Sequence, residues 1–263
     1  MKWLKWIFIM ASTLLLYGVI YEPYTLKITK YQLDNESLAG LKIVFATDFH
    51  IAPYEWEKRR LLKIISTINE QEADLVILGG DYVNRHSRRS TLSPRKIADA
   101  LQQIKAPKVA VLGNHDSYYG KNKVKSALEN VGIPVLDNQN IKLILRNKQV
   151  YIAGIADYYT DKPDIRTALK NTGVPLILVT HSPDGFANLK SSADVVFAGH
   201  THGGQIVMPL WGPLLVPTEK ERQYINGLFY KNNTPLIVSA GLGTSIVPIR
   251  FNNPPEIVAV TFK

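Results

Sequence analysis

Two histidines one residue apart follow the apolar run Val195–Ala198, in the segment Gly199-His200-Thr201-His202-Gly203-Gly204-Gln205. A lone histidine is more often a hydrogen-bonded structural residue than a metal ligand. This pair is not alone, because four more polar clusters also follow apolar runs: Asp48-Phe49-His50, Gly80-Asp81, Gly113-Asn114-His115-Asp116 and His181. The five clusters hold five of the chain's six histidines. Imidazole, carboxylate and amide groups together indicate a transition-metal site.

The apolar runs before these clusters predict the elements that position them. The runs are rich in Val, Ile and Leu and are bounded by Gly, Asp and Asn, which is typical of buried strands in an α/β sheet. Ligands of such sheets bind beyond the carboxyl ends of the strands. Five strand ends could therefore supply one shared site, whose candidate side chains are Asp48, His50, Asp81, Asn114, His115, His181, His200 and His202.

Apolar stripes at helical spacing alternate with the predicted strands. They cover residues 61–68, 97–104 and 124–131, and we interpret them as core faces that imply no cofactor. Beyond Gln205 the pattern changes to shorter strands and Pro-rich turns. A chain of 263 residues with 46% hydrophobic content can bury one large core, so we expect one catalytic domain over residues 23–263.

The N-terminal segment is a candidate membrane anchor. Residues 6–21 carry no charge, follow Lys2 and Lys5, and end at Glu22-Pro23. As a helix this run spans roughly 24 Å, which flanking residues can extend toward the roughly 30 Å hydrocarbon core. We predict an uncleaved, single-pass anchor over residues 1–22. A cleaved signal peptide and a buried helix of the domain are the alternatives, and lysines on both sides leave the orientation open.

Composition limits the chemistry and the partners. The absence of cysteine excludes disulfides, thiolate zinc sites and cysteine nucleophiles. The net charge of +9 favours an anionic partner, which could be nucleic acid, an acidic membrane surface or a phosphate-bearing substrate. Two stretches are basic. One lies between Asp81 and Asp99, around His86, and the other contains Lys121, Lys123 and Lys125. These residues either surround the site or lie in ordinary solvated loops.

Taken together and in this order, the five clusters resemble the motifs of the calcineurin-like metallophosphoesterases over residues 41–205. The remainder, with Gly241-Leu242-Gly243-Thr244 and Arg250-Phe251-Asn252, is similar to the membrane-associated bacterial branch related to UDP-2,3-diacylglucosamine pyrophosphohydrolases. The resemblance implies a four-layer α/β/β/α sandwich, preceded here by the N-terminal hydrophobic helix. One departure is Asn84, where many family members have a second aspartate.

The resemblance also implies a role for each candidate residue. Asp48, His50 and His202 would bind one metal ion, Asn114, His181 and His200 a second, and Asp81 both. Mixed imidazole and oxygen ligands suit manganese, iron or zinc. Two such ions about 3.5 to 4 Å apart would lower the pKa of a bridging water and hold a phosphoryl group for in-line attack. His115 would protonate the leaving oxygen or stabilise charge, and Asp116 would orient its neighbours.

These observations predict a monomeric, membrane-anchored metallophosphohydrolase that cleaves a phosphodiester or phosphoanhydride of a lipid or nucleotide-sugar-lipid. A nuclease of the same superfamily, using the positive charge, is the alternative, and a scaffold without catalysis is a third hypothesis. The apolar stretch Met208–Pro217 either contacts acyl chains or the bilayer, or folds inward as core. Gly241-x-Gly243-Thr244 is a weak candidate for a phosphate-binding turn.

Overall fold

The structure is a computed structural model that describes residues 2–84, 90–186, 193–214, 216–218 and 223–263. Among these residues the helices are α1 (Lys2–Leu16), α2 (Glu55–Glu70), α3 (Pro94–Leu101), α4 (Asn114–Glu129) and α5 (Ile165–Ala168). The strands are β1 (Lys27–Leu33), β2 (Lys42–Ala46), β3 (Leu75–Leu78), β4 (Lys108–Ala110), β5 (Gln139–Leu145), β6 (Lys148–Gly154), β7 (Leu176–Val179), β8 (Val195–Ala198), β9 (Val207–Met208), β10 (Gly212–Pro213), β11 (Gly227–Lys231), β12 (Thr234–Val238) and β13 (Glu256–Phe262).

Two sheets form the centre of the molecule. Within the described residues, the first sheet has the order β1-β13-β2-β3-β4 and the second the order β11-β12-β8-β7-β6-β5. Strands β2, β3 and β4 are parallel neighbours in the first sheet, as are β6, β7 and β8 in the second. The carboxyl ends of parallel neighbours lie at one edge, so the predicted site has a common location in each sheet.

Alternating side chains of β2 show how the layers are built. Ile43 and Phe45 are buried between the two sheets, whereas Val44 and Ala46 are buried under α2, α3 and α4. A further buried cluster on the outer face of the second sheet includes Phe186 and Ala168. The predicted four-layer α/β/β/α sandwich is confirmed. Its outer helical layer on the second sheet is thin, since α5 and the short turn Pro183–Phe186 supply its described helical residues.

The N-terminal helix lies largely outside these layers. Beyond α1 it continues through a π-helical turn, Tyr17–Tyr21, and a 3-10 turn, Glu22–Tyr24. Over Trp3–Tyr24 the whole segment is long and apolar enough to cross a membrane, with a mean hydropathy of 1.7, and only 6% of its apolar window is buried. A helix of the core would be buried, so that alternative is wrong. The helix could be a membrane anchor, and the division into residues 1–22 and 23–263 stays a prediction.

Candidate metal centre

The eight predicted site residues come together where the carboxyl ends of the two sets of parallel strands face each other. Seven of the eight fall into three overlapping groups, and within each group the possible ligand atoms lie within 4.8 Å of one another. The groups are Asp48-His50-His202, His50-Asp81-His115 and Asp81-His181-His200. Asn114 lines the same cavity. The loops are tied across the sheets, because the backbone N–H of His200 donates to the Asp48 carboxylate at 3.0 Å.

The backbone at these loops is strained. Left-handed φ values occur at five of the seven predicted ligands: Asp48 (56°), His50 (46°), Asp81 (53°), His200 (70°) and His202 (50°). Such a conformation costs a residue other than glycine roughly 1–3 kcal/mol and is concentrated at functional sites. The sharp turn at each strand end directs the following side chain back into the cavity. No local sequence pattern predicted this conformation.

Asp48, His50 and His202 form what we call the first half-site. Nε2 of His50 and Nε2 of His202 are 3.2 Å apart, and Nε2 of His202 is 3.5 Å from Oδ1 of Asp48. Two ligands of one transition-metal ion, each about 2.1 Å from it, would be about 3.0 to 3.4 Å apart. The donor set and its spacing therefore fit a metal ion.

Asn114, His181 and His200 form the second half-site. Nδ1 of His200 lies 3.3 Å from Nε2 of His181. Oδ1 of Asn114 is buried and has no hydrogen-bond partner within the described residues. An unsatisfied buried oxygen costs about 1–3 kcal/mol, which a cation at this position would offset. This group also fits a metal ion.

Asp81 stands between the half-sites. Its Oδ2 lies 3.4 Å from Nε2 of His50 and 3.3 Å from Nε2 of His181. Its Oδ1 accepts a hydrogen bond from the backbone N–H of His115 at 2.8 Å. The backbone thus holds one carboxylate oxygen, and the other faces both half-sites as a shared ligand would.

Backbone carbonyls select the tautomers of the second half-site. Nδ1 of His181 donates to the Gly79 carbonyl at 2.9 Å, and Nε2 of His200 donates to the Pro217 carbonyl at 2.6 Å. Because a carbonyl only accepts, the opposite ring nitrogen of each neutral imidazole is left with a lone pair for a cation. The Tyr159 ring stacks on His200 with centroids 4.7 Å apart. Sequence reasoning missed Tyr159 and Pro217, which carry no recognisable motif.

Burial sets the electrostatics. It raises the pKa of Asp48 to about 6 and lowers the pKa of His50 to about 3 and of His200 to about 4. Burial acts to lower the pKa of His181 as well, but the adjacent Asp81 carboxylate outweighs it and raises that pKa well above its ordinary value. Burial opposes ionisation of Asp81, yet His181 and its neighbours hold the Asp81 pKa well below its usual range.

His115 lies beside both half-sites. Its Nδ1 donates to the Asn84 carbonyl at 2.9 Å, and its ring packs edge-on against His50 with centroids 4.6 Å apart. Nε2 is therefore the ring nitrogen that can act on a group in the cavity. The Asn84 side chain donates to the Ser90 carbonyl at 3.2 Å, so the departure from the family pattern does not enter the half-sites.

Asp116 has the orienting position predicted for it. Its buried carboxylate accepts backbone N–H groups of Gly113 at 3.0 Å, Asp81 at 2.8 Å and Tyr82 at 3.0 Å. These bonds join the loop after β3 to the loop that begins α4. One carboxylate thus fixes the backbone of Asp81 and the start of the segment that carries Asn114 and His115.

The glycines of Gly241-x-Gly243 serve packing. A Cβ on Gly243 would lie 2.6 Å from the Phe49 carbonyl oxygen, and one on Gly241, where φ is +69°, would lie 2.6 Å from Cβ of Asp48. Only a residue without a Cβ fits against the first half-site here. The fully buried Arg250 donates to four carbonyls of this region, those of Ala240, Gly241, Gly243 and Asn253. The sequence drew attention to Arg250 through the segment Arg250-Phe251-Asn252, but it did not predict that this side chain binds four backbone carbonyls.

The metal cavity has a volume of about 320 Å³, and its lining includes five apolar residues, Ile206, Leu214, Pro217, Ile246 and Val247. Two of them, Leu214 and Pro217, belong to the apolar stretch Met208–Pro217. Leu210, Trp211 and Leu214 are exposed, so the core alternative is wrong for these three, and Leu215 lies outside the described residues.

The sequence left open whether the basic stretches surround the site or lie in solvated loops. Lys121 forms ion pairs with Asp137 at 2.9 Å and Asp161 at 3.1 Å, and Lys125 lies 3.9 Å from Asp137. Their field is therefore weakened by neighbouring carboxylates. His86 and the arginines of residues 85–89 lie outside the described residues.

Comparison with known proteins agrees with this geometry. A relative from Bacillus subtilis, named uncharacterized metallophosphoesterase YkuE, is 31% identical over 260 residues, which cover 94% of this chain and 89% of the relative. The Escherichia coli protein named phosphodiesterase YaeI is 30% identical over 244 residues, 90% of this chain and 88% of its own.

A solved structure shows the same fold. The 5'-nucleotidase precursor from Thermus thermophilus aligns with a TM-score of 0.51 and 14% sequence identity. The alignment covers 77% of this chain and about half (49%) of that protein. The sequence model of the calcineurin-like phosphoesterases matches residues 41–204. With the Asp and His groups in place, the chain belongs to the calcineurin-like phosphoesterase family of metal-dependent phosphoester hydrolases.

Proposed function

We propose that the protein is a membrane-anchored phosphodiesterase with two divalent ions, manganese, iron or zinc, that acts on a lipid or nucleotide-sugar-lipid phosphodiester or phosphoanhydride. The observation that carries the two-ion site is Oδ2 of Asp81, which lies within 3.4 Å of imidazole nitrogens from both half-sites. The phosphodiesterase name of the Escherichia coli relative supports the reaction type.

In this proposal Asp48, His50 and His202 would hold one ion, Asn114, His181 and His200 would hold the other, and Asp81 would contribute to both. When bound, such ions supply a Lewis acid for phosphoryl oxygens and lower the pKa of a coordinated water. The protein's own contribution is orientation: Asp116 fixes the Asp81 backbone, and the Gly79 and Pro217 carbonyls fix two imidazoles. The carbonyl of Asn84 directs Nε2 of His115 to the reacting group, where a protonated ring can donate to the leaving oxygen.

The lipid substrate is supported by the apolar residues that line the metal cavity and by α1. A phosphate group alone needs polar contacts, so the five apolar residues in this lining suit a substrate with a hydrocarbon portion. The α1 helix would place the site close to such substrates.

A metal-reconstitution screen tests the proposal. Protein stripped by chelation would be reloaded with manganese, iron or zinc and assayed on a soluble aryl phosphodiester, a diacylated phosphodiester in mixed micelles, a nucleotide-sugar-lipid and an oligonucleotide. We expect about two ions per chain, activity only with metal, and preference for the acylated substrates. Full activity after stripping would contradict the metal chemistry. Preference for the oligonucleotide, with a steep loss of activity as salt rises, would instead identify a nuclease.

A further inference from the structure

Exposed apolar side chains lie on two segments that contribute residues to the lining of the metal cavity. They form an apolar rim on the β9–β10 hairpin and on the loop before Arg250: Leu210, Trp211, Leu214, Ile246 and Val247. Leu210 is fully exposed, Trp211 is 83% exposed and Ile246 is 69% exposed. Leu214, Ile246 and Val247 also line the cavity, so the rim and the entrance to the metal site are one surface.

Ile246 is held in the rim against its backbone preference. Its φ is +64°, which a β-branched residue rarely adopts. The Gln205 side chain fixes the loop on both sides, because its Oε1 accepts the Ser245 N–H at 2.7 Å and its Nε2 donates to the Val247 carbonyl at 2.9 Å. Strained backbone is concentrated at functional sites, and exposed apolar patches are typical of interaction surfaces, so this loop is a candidate for one.

The rim is continuous with the anchor helix through the segment 249–253. The N–H of Arg250 donates to the Gly18 carbonyl at 3.0 Å, and the Phe251 ring packs edge-on against Tyr17 with centroids 6.4 Å apart. The Phe251 carbonyl in turn accepts the N–H of Val207, the first residue of the hairpin, at 2.9 Å. Helix end and hairpin therefore contact the same segment.

A buried carboxylate makes this junction rigid. Glu22, at the end of the apolar helix, accepts the backbone N–H groups of Asn252 and Asn253. The Asn253 side chain then donates to the His202 carbonyl at 2.6 Å, inside the first half-site. Moving the helix relative to the cavity would leave Glu22 buried without these partners, which is costly. These contacts fix the end of the helix, residues 17–22, relative to the rim.

We propose that the apolar rim is seated in the interfacial layer of the phospholipid bilayer that holds α1. The metal cavity then opens on the bilayer, and an amphiphilic phosphoester reaches the half-sites from the membrane plane without first entering water. This route rests on the proposed lipid substrate. The position of the rim does not, and it can be measured without turnover.

The test uses the absence of cysteine from the chain. Single-cysteine variants of the full-length protein, Trp211→Cys and Ile246→Cys, would carry an environment-sensitive fluorophore in vesicles of phosphatidylcholine and phosphatidylglycerol that contain spin-labelled lipid. Ile144→Cys and Val174→Cys are matched controls, since these apolar residues are also exposed (67% and 81%) but lie near the amino ends of β6 and β7. Leu14→Cys reports on α1 separately.

We expect spin-labelled lipid to quench the labels at 211 and 246 several-fold more than those at 144 and 174. Quenching at 211 and 246 no greater than at the controls overturns the proposal, whatever the label at 14 shows. Weak quenching at 14 alone would count against the proposed anchor, so the two failures are distinguishable. Val247→Cys replaces Ile246→Cys if the latter unfolds, as judged by circular dichroism.

Discussion

In the second half-site, His181 and His200 each donate a ring N–H to a backbone carbonyl, whereas Nδ1 of His50 and Nδ1 of His202 have no such partner within the described residues. The first half-site is held instead through its backbone, since Asn253 donates to the His202 carbonyl at 2.6 Å and Gly243 packs against the loop of His50. Hydrogen bonds to the imidazoles therefore position one half-site, and contacts with the backbone position the other. If each half-site binds one ion, as proposed, the two ions should respond to different substitutions.

Asp81→Ala should affect both half-sites equally, because it removes the carboxylate that lies between them. We expect loss of both ions and a fall in kcat of at least about a thousandfold, as for a group on which a whole catalytic unit depends. Metal content by mass spectrometry and turnover of a soluble aryl phosphodiester would be measured together. A variant that kept both ions would show that Asp81 is not shared.

His115→Ala tests a residue that lies beside both half-sites. It should keep both ions but lower turnover by about two to four orders of magnitude, as expected for a lost proton donor. His115→Gln is the control, since its amide can still hydrogen-bond but cannot protonate a leaving group. Loss of an ion in His115→Ala would place this residue among the ligands.

Gly243→Ala and Tyr159→Ala form a pair aimed at one half-site each. The added Cβ would lie 2.7 Å from Cβ of His50, and loss of the Tyr159 ring would remove the surface stacked on His200. Each should weaken one ion by about ten- to hundredfold, the size seen when groups behind metal ligands are removed. Calorimetric titration would resolve the two affinities. Equal weakening of both ions by either variant would mean that the half-sites are not held independently.

Proton release should also distinguish the half-sites. At pH 7 the raised pKa of His181 keeps that ring protonated in the metal-free protein, whereas the lowered pKa values of His50 and His202 leave those rings neutral. Binding to the second half-site should therefore release about one proton, and its affinity should fall by about tenfold per pH unit below the His181 pKa. Calorimetry in buffers of different ionisation enthalpy measures this. Equal proton release at both half-sites would refute it.

The pKa shifts of His181 and Asp81 also predict how the stability of the metal-free protein depends on pH. Because the folded pKa of His181 is raised and that of Asp81 is lowered, their ion pair stabilises the metal-free protein fully between about pH 4 and about pH 6.5. That contribution is lost as pH rises through the folded pKa of His181.

The smallest effect is expected at the apolar rim, away from both half-sites. Leu210→Ser combined with Trp211→Ala should slow hydrolysis of a diacylated substrate in vesicles by about tenfold, since partial burial of two large side chains in lipid contributes about 1 to 2 kcal/mol. Hydrolysis of a soluble aryl phosphodiester and Tm should be unchanged, because both side chains are exposed. Equal slowing on both substrates would mean that the hairpin acts on the metal cavity itself.

Much of the fold was predictable because its strands and helices have strong periodic signals. The runs of β2, β3, β7 and β8 are buried on both faces, and the stripes of α2, α3 and α4 are core faces as expected, except at Leu62, which is exposed. The thin outer layer was not predictable in detail, since α5 has only four residues and no apolar stripe. The exposure of Trp211 also remained open, because a Pro- and Gly-rich apolar segment has no period that indicates inside or outside.

The sequence by itself determined which side chains form the candidate site, because each of five buried strands is followed by a side chain that can bind a metal ion. It did not determine how they are held. The shared position of the Asp81 oxygen, the strained backbone of five predicted ligands and the bonds of Arg250 depend on loops from both sheets meeting. Only the tertiary structure brought Glu22 to Asn253, 231 residues away, and so connected the N-terminal helix to His202. Local periodicity carries no information about such contacts, since they form only when distant segments pack.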